Sequence, residues 1–231
     1  MKNSLRGWLP SFITFGGLIC AFSAVVFAVD QNLTAAGICI LTGYLLDACD
    51  GALARRLGVT SAFGLQLDSL VDVVTFGVAP GILIYQHLRH TPINPAITWG
   101  VCAGYLVGGV FRLARFNLLP TKTSNSDSVG LTISTSGATV ALGVLANRVY
   151  GQGLIPVIGL LVLMTGLTLL MVSRVRYPAL AAVLRRRWLS ALILSAAAIL
   201  AIWLSPQVVC FGLTSGYVSF GLGRAIYHLI F

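Results

Sequence analysis

Apolar runs of close to membrane-spanning length recur along the whole chain, each closed by a short polar or glycine-rich break. A helix needs about 20 residues to cross the hydrocarbon core of a bilayer. On that template the pattern predicts about eight helices: Leu9–Val29, Leu33–Ala54, Leu67–Gln86, Ile97–Leu118, Leu131–Val149, Leu154–Val172, Trp188–Leu204 and Val208–Leu222. The breaks carry turn and loop residues: Asp30-Gln31-Asn32, the His87–Asn94 segment, the Pro120–Gly130 loop and Gly151-Gln152-Gly153. The last run is interrupted by Gly212, Ser215 and Gly216. The expected fold class is all-α, a polytopic membrane helical bundle forming one integral membrane domain over 1–231. Within it, 9–172 would be a six-helix catalytic core and 188–222 two extra C-terminal helices. No internal repeat is visible.

Composition agrees with this pattern. With 57% hydrophobic and 9% charged residues, the chain lacks the polar surface a soluble domain of 231 residues would need. The net charge of +9 does not point to nucleic acid, because the basic residues fall in the breaks between apolar runs. Alternating the loops with the N-terminus inside puts 13 of the 15 Lys and Arg residues on the cytoplasmic side and leaves Arg89 and Arg148 on the other. Cytoplasmic loops carry such an excess, so both termini are expected in the cytoplasm. The partner this implies is the lipid bilayer, with no nucleic acid. Five scattered cysteines without a CxxC spacing argue against a disulfide framework or a zinc site. No small-residue cleavage site closes the first apolar run, so no cleavable signal peptide is expected.

Against this background the acids stand out. All six acidic residues are Asp, and Asp47, Asp50, Asp68 and Asp72 crowd into one short stretch. A charge within a membrane segment costs on the order of 3 kcal/mol by insertion scales, so something must balance it. Asp47 and Asp50 are i, i+3 near the end of helix two and share a face; Asp68 and Asp72 are i, i+4 at the start of helix three. The turn between them, with Gly58 and Gly64, can fold the two pairs together. Facing carboxylates repel unless cations lie between them. Hard oxygen ligands without His or Cys point to Mg2+, Mn2+ or Ca2+, and four carboxylates suit two divalent ions acting on a phosphoryl group. Gly51 and Ala54 leave a helix face open to a ligand, Arg55 can donate to a diphosphate, and Ser61 offers a hydroxyl. The same residues can also be read as small packing positions and interfacial anchors.

The run Asp47-x2-Asp50-Gly51-x2-Ala54-Arg55-x8-Gly64-x3-Asp68-x3-Asp72 resembles the signature of the CDP-alcohol phosphatidyltransferase family at every fixed position. Members of that family are membrane enzymes that join a CDP-linked lipid to an alcohol and release CMP. The resemblance implies two divalent cations, Mg2+ or Mn2+, held by Asp47, Asp50, Asp68 and Asp72, with Asp72 also acting as base for the acceptor hydroxyl. It assigns Gly51, Ala54, Arg55, Ser61 and Gly64 to the CDP-lipid. The family's Pro-Asn with a following Thr near the start of helix one reads here as Pro10-Ser11-Phe12-Ile13-Thr14, which adds Ser11 and Thr14. The segments "LDSLVDVVTFGVAP" and "FRLARFN" look like the phosphatidylserine synthase branch, which implies CDP-diacylglycerol and L-serine as substrates and a homodimer. The branch's Pro-rich element after helix four is replaced by Gly130-Leu131-Thr132-Ile133-Ser134-Thr135-Ser136.

Arg112, Arg115 and Asn117 admit two readings: snorkelling anchors at the membrane boundary, or a pocket for the acceptor's carboxylate or phosphate. The Arg174–Arg187 loop reads as a lipid-facing basic patch, and His87, His90 and His228 fall outside the acidic cluster. A cation transporter would spread its acids through the membrane depth; here they concentrate at one boundary. Glycerol 3-phosphate and inositol phosphate are the alternative acceptors. The expected location is the plasma membrane of a prokaryote, with the active site facing the cytoplasm.

Overall fold

The structure is a computed structural model that describes residues 2–58, 61–118, 128–150, 154–177 and 205–230. Among the described residues the chain forms seven helices and one two-residue strand pair. They are α1 (Lys2–Val29), α2 (Leu33–Leu57), α3 (Ala62–Leu88), α4 (Pro95–Leu118), α5 (Ile133–Val149), α6 (Val157–Val172) and α7 (Pro206–Ile230). The strands β1 (Ser128–Val129) and β2 (Arg176–Tyr177) pair antiparallel and tie the segment before α5 to the segment after α6.

The all-helical expectation holds, with differences at the ends. α1 begins ahead of Leu9 because helical hydrogen bonding continues where the apolar run stops. α3 likewise begins at Ala62 rather than Leu67, and α7 runs beyond Val208–Leu222 at both ends. The expected helix Trp188–Leu204 lies outside the described residues. Among the described residues four segments are long and apolar enough to cross a membrane: Pro10–Val29 in α1, Leu33–Ala54 in α2, and the whole of α3 and α4. α5 and α6 are shorter, 17 and 16 residues. α5 is buried on nearly every side. It is the central helix, with α2, α3, α6 and α7 packed against it.

Local chemistry sets the turns that position the acids. The Asn32 side chain caps α2 by accepting from Ala35 N–H at 3.2 Å, and α2 ends at Gly58 in the left-handed region, φ 64°. Ser61 caps α3, its hydroxyl accepting from Gly64 N–H at 3.0 Å. The α2–α3 corner therefore has a glycine stop and a serine start, and the two acidic pairs lie on either side of it.

α3 is not uniform. Pro80 has no N–H to give the Phe76 carbonyl, and its ring would press on that same carbonyl. The helix widens there: Val73–Val78 is π-helical, and Ala79 N–H reaches back to Val74 O. The Phe76 carbonyl is instead satisfied by the fully buried Tyr105 of α4, whose hydroxyl donates to it at 2.9 Å. Neighbouring helices close on this wide turn where they carry glycine. A Cβ on Gly137 of α5 would come within 2.9 Å of Phe76 Cα, and one on Gly43 of α2 within 2.7 Å of Thr75 Cγ2. The wide turn follows directly on Asp72.

The end of the bundle away from the acids is held by polar contacts. Gln31 donates to Gln86 at 3.0 Å. Asn147 accepts from Ile155 N–H at 3.0 Å, which turns its amide nitrogen towards His87 Nε2, 3.2 Å away. Arg89 and Arg148 belong to this end, whereas Arg56, Arg112, Arg115 and Arg174 belong to the end that carries the acids.

Tyr105→Phe would strand the buried Phe76 carbonyl. The expected cost is about 1–3 kcal/mol, measured as a lower unfolding midpoint of the detergent-solubilised protein.

Candidate active site

The antiparallel α2–α3 corner brings three of the four acids into one group. A carboxylate oxygen from each of Asp47, Asp50 and Asp68 lies within 4.8 Å of the others. Asp50 is the most buried of the three, at 5% exposure. Asp72 lines the same recess, together with Thr14, Gly17, Gly43, Val71, Thr75 and Phe76. Its carboxylate falls outside the close group of three, one turn deeper along α3.

Helices outside the acidic stretch touch these carboxylates. Thr14 of α1 donates from Oγ1 to Asp50 Oδ2 at 2.7 Å. From the first turn of α5, Ser134 lies near Asp47 and Thr135 near Tyr44. Thr132 caps that turn, accepting from Thr135 N–H at 3.3 Å. The hydroxyl-rich run that opens α5 therefore borders the acids.

A cleft with about 570 Å³ of free space, counted to its open mouth, lies beside the recess. It is lined by Pro10, Ser11, Thr14, Asp50, Gly51, Ala54, Ser61, Gly64, Leu65 and Asp68. Recess and cleft meet at Thr14, Asp50 and Asp68, which line both. Ser11, Thr14, Gly51, Ala54, Ser61 and Gly64 thus share one cavity, although they come from three helices and a turn. Arg55 lies on α2, and its side chain is outside the described residues.

The three α4 residues separate. Arg112 lies on the buried face, 6% exposed, where it and Asp72 act on each other's charge. Its guanidinium also sits 5.2 Å from the centre of the Phe116 ring. Arg115 is engaged at the C-terminus of α6, donating to Val172 O at 2.9 Å, Ser173 O at 3.1 Å and Met171 O at 3.4 Å. Carbonyls at a helix C-terminus lack partners and carry partial negative charge, so a guanidinium is well suited to them. Asn117 donates to Ser69 Oγ at 3.1 Å and links α4 to α3. Gly130, at φ 80°, lies against the Arg115 guanidinium and the Met171 carbonyl, where a Cβ would come within 2.9 and 2.6 Å of them.

The donor set decides what the acidic group can hold. Its ligand atoms are all carboxylate oxygens, and neither His nor Cys joins them. Such a set fits a hard divalent cation. Beside it lies the cleft, lined largely by small and hydroxyl-bearing residues. An acidic group that could hold metal ions thus stands at the α2–α3 corner of a bundle with several apolar spans, beside an open cleft.

The chain belongs to the CDP-alcohol phosphatidyltransferase family, whose pattern matches residues 7–172. It is 34% identical over 175 residues to the CDP-diacylglycerol–serine O-phosphatidyltransferase of Bacillus subtilis, an alignment covering 74% of this chain and 90% of that protein. The enzyme of the same name from Helicobacter pylori strain J99 is 32% identical over 173 residues, covering 73% of this chain and 71% of that one. The archaetidylserine synthase of Methanothermobacter thermautotrophicus is 31% identical over 175 residues, covering 74% and 69%. The protein is therefore an integral membrane transferase of phospholipid synthesis, with an acidic cluster fitted to metal binding.

Arg115→Ala should fray the end of α6 and lower stability by about 1–3 kcal/mol, seen as a lower unfolding midpoint. An unchanged midpoint with a selective loss of acceptor affinity would instead place Arg115 in the acceptor pocket.

Proposed function

We propose that the protein transfers a phosphatidyl group from CDP-diacylglycerol to the hydroxyl of L-serine, giving phosphatidylserine and CMP. The observation that carries this reading is the meeting of the cleft with the acidic group at Thr14, Asp50 and Asp68. A diphosphate lying in the cleft would reach the acids, with its nucleotide against Gly51, Ala54, Arg55, Ser61, Gly64 and Ser11. Asp47, Asp50 and Asp68, joined by Asp72, would hold two ions, Mg2+ or Mn2+. Such ions, when bound, supply positive charge to the diphosphate and its leaving group.

Asp72 takes the proton of the acceptor hydroxyl as the serine oxygen forms its bond to the lipid-bearing phosphorus. The bond from that phosphorus to the bridging oxygen breaks, and CMP leaves with that oxygen. Arg112 is buried beside Asp72, where it can pair with the serine carboxylate. The hydroxyls of Thr132, Ser134, Thr135 and Ser136 border the same region and suit a small zwitterion. A phosphorylated alcohol carries nearly two negative charges and calls for several cations, whereas Arg115 is already engaged at the end of α6. The names of the relatives from Bacillus subtilis and Helicobacter pylori support the same acceptor.

The basic residues clustered at the acidic end support a cytoplasmic site with both termini inside, in the plasma membrane of a prokaryote. On this reading the whole chain is one membrane domain of about eight helices, with a catalytic core over 9–172 and two further helices over 188–222. A homodimer is the assembly the family resemblance implies.

Two measurements test the chemistry. Purified protein given CDP-diacylglycerol with equal concentrations of L-serine, glycerol 3-phosphate and inositol phosphate should release CMP chiefly with serine. Excess chelator should abolish release, and Mg2+ or Mn2+ should restore it. A dominant product from either phosphorylated alcohol would overturn the acceptor while leaving the transferase reading intact. Separately, Asp72→Asn should lose turnover by about 100-fold or more yet still bind CDP-diacylglycerol. Wild-type turnover in that variant would remove Asp72 as the base.

A further inference from the structure

A short hydrogen bond at the site joins two residues that the acidic stretch alone does not connect. Thr14 Oγ1 lies 2.7 Å from Asp50 Oδ2 and 3.1 Å from the Pro10 carbonyl, one turn earlier in α1. A hydroxyl has one proton, and it goes to the shorter, charged acceptor. Hydrogen bonds to a carboxylate are the stronger kind, and the Pro10 carbonyl is the ordinary helical acceptor for Thr14 N–H. Both side chains are buried, 7% and 5% exposed, so water does not compete freely for either.

We propose that Thr14 is a positioning residue that fixes the plane of the Asp50 carboxylate for cation binding, rather than principally a nucleotide contact. The inference rests on the proposed metal role of Asp47, Asp50 and Asp68. A carboxylate offers about four lone-pair directions on its two oxygens. Thr14 occupies one on Oδ2 and leaves the others to the group. A β-branched side chain in a helix has few χ1 choices, so α1 delivers the hydroxyl from a stiff mount. Asp50, at i+3 from Asp47, could otherwise turn about χ2 and take its oxygens out of register with Asp47 and Asp68. Groups behind a metal ligand typically change metal affinity by about 10–100-fold when removed. Thr14 also lines both the recess and the cleft, so the orienting hydroxyl stands where a bound diphosphate would touch the ions.

The test reads metal binding directly, in nucleotide-free, detergent-solubilised full-length protein, by the loss of the free Mn2+ signal in electron paramagnetic resonance. Thr14→Val removes the hydroxyl and keeps the shape; it should weaken Mn2+ binding by about 10-fold or more. Thr14→Ser restores the donor and should stay within about threefold of wild type. On an Asp50→Asn background, Thr14→Val should add little, because the two changes remove one interaction. If Thr14→Val will not fold, Thr14→Ala takes its place, with the same loss expected. A Thr14→Ser loss as large as that of Asp50→Asn would overturn the proposal. Wild-type Mn2+ affinity in Thr14→Val, with a raised KM for CDP-diacylglycerol, would return Thr14 to a nucleotide contact alone. Absence of Mn2+ binding by the wild-type protein would overturn the metal role and this proposal together; equal affinity in wild type and Thr14→Val overturns only the latter.

Discussion

Three carboxylates with oxygens inside 4.8 Å of one another repel. At an effective dielectric of about 20, two unit charges 4 Å apart interact by about 4 kcal/mol. A cluster of this kind would push its helices apart unless cations or protons neutralise it. The bundle nonetheless packs α1, α3 and α5 against α2, which carries two of these acids. The arrangement makes sense as a frame built to be completed by positive charge. Its hydroxyls, a glycine stop and a serine cap set the carboxylates in place, and the diphosphate of a substrate would then share the same charge.

The wide turn in α3 reconciles two demands on one helix. Its first part must turn Asp68 and Asp72 towards α2, while its second part must bury Leu83, Ile84 and Leu88 in the core. An α-helix with Pro80 in its interior would leave the Phe76 carbonyl without a partner and crowd it. The π-helical stretch changes the register between the two parts, and Tyr105 takes up the carbonyl. Tyr105 and Arg112 lie seven residues apart on α4, two turns on the same face. The residue that secures the wide turn and the guanidinium beside Asp72 are thus carried by one helix in one register.

Much of this was readable from the chain before its fold was known. The apolar runs located α1 to α6 to within a few residues, apart from the earlier starts of α1 and α3. The i, i+3 and i, i+4 spacings placed each pair of acids on a common face. The small and hydroxyl residues Ser11, Gly51, Ala54, Ser61 and Gly64 were picked out by resemblance, and they line one cleft. Contacts between helices far apart in sequence were not readable, because periodicity describes one helix at a time. The bond from Thr14 to Asp50 spans 36 residues, and that from Arg115 to Ser173 spans 58. Arg115 looked equivalent to Arg112, yet at i+3 it reaches a different neighbour. Pro80 was the one local signal for the wide turn: a proline inside an apolar helical run marks a carbonyl in need of another donor.

The Thr14–Asp50 bond also has a place in time. α1 and α2 leave the ribosome ahead of α3, at about 5–20 residues per second, so an antiparallel pair of helices can enter the bilayer before α3 has emerged. During that interval Asp50 has a hydroxyl donor in its own hairpin, and Asp47 is its sole acidic neighbour on that pair. The crowding of like charges begins only when α3 folds back. Assembly therefore meets its most unfavourable electrostatics late, after the first hairpin has formed.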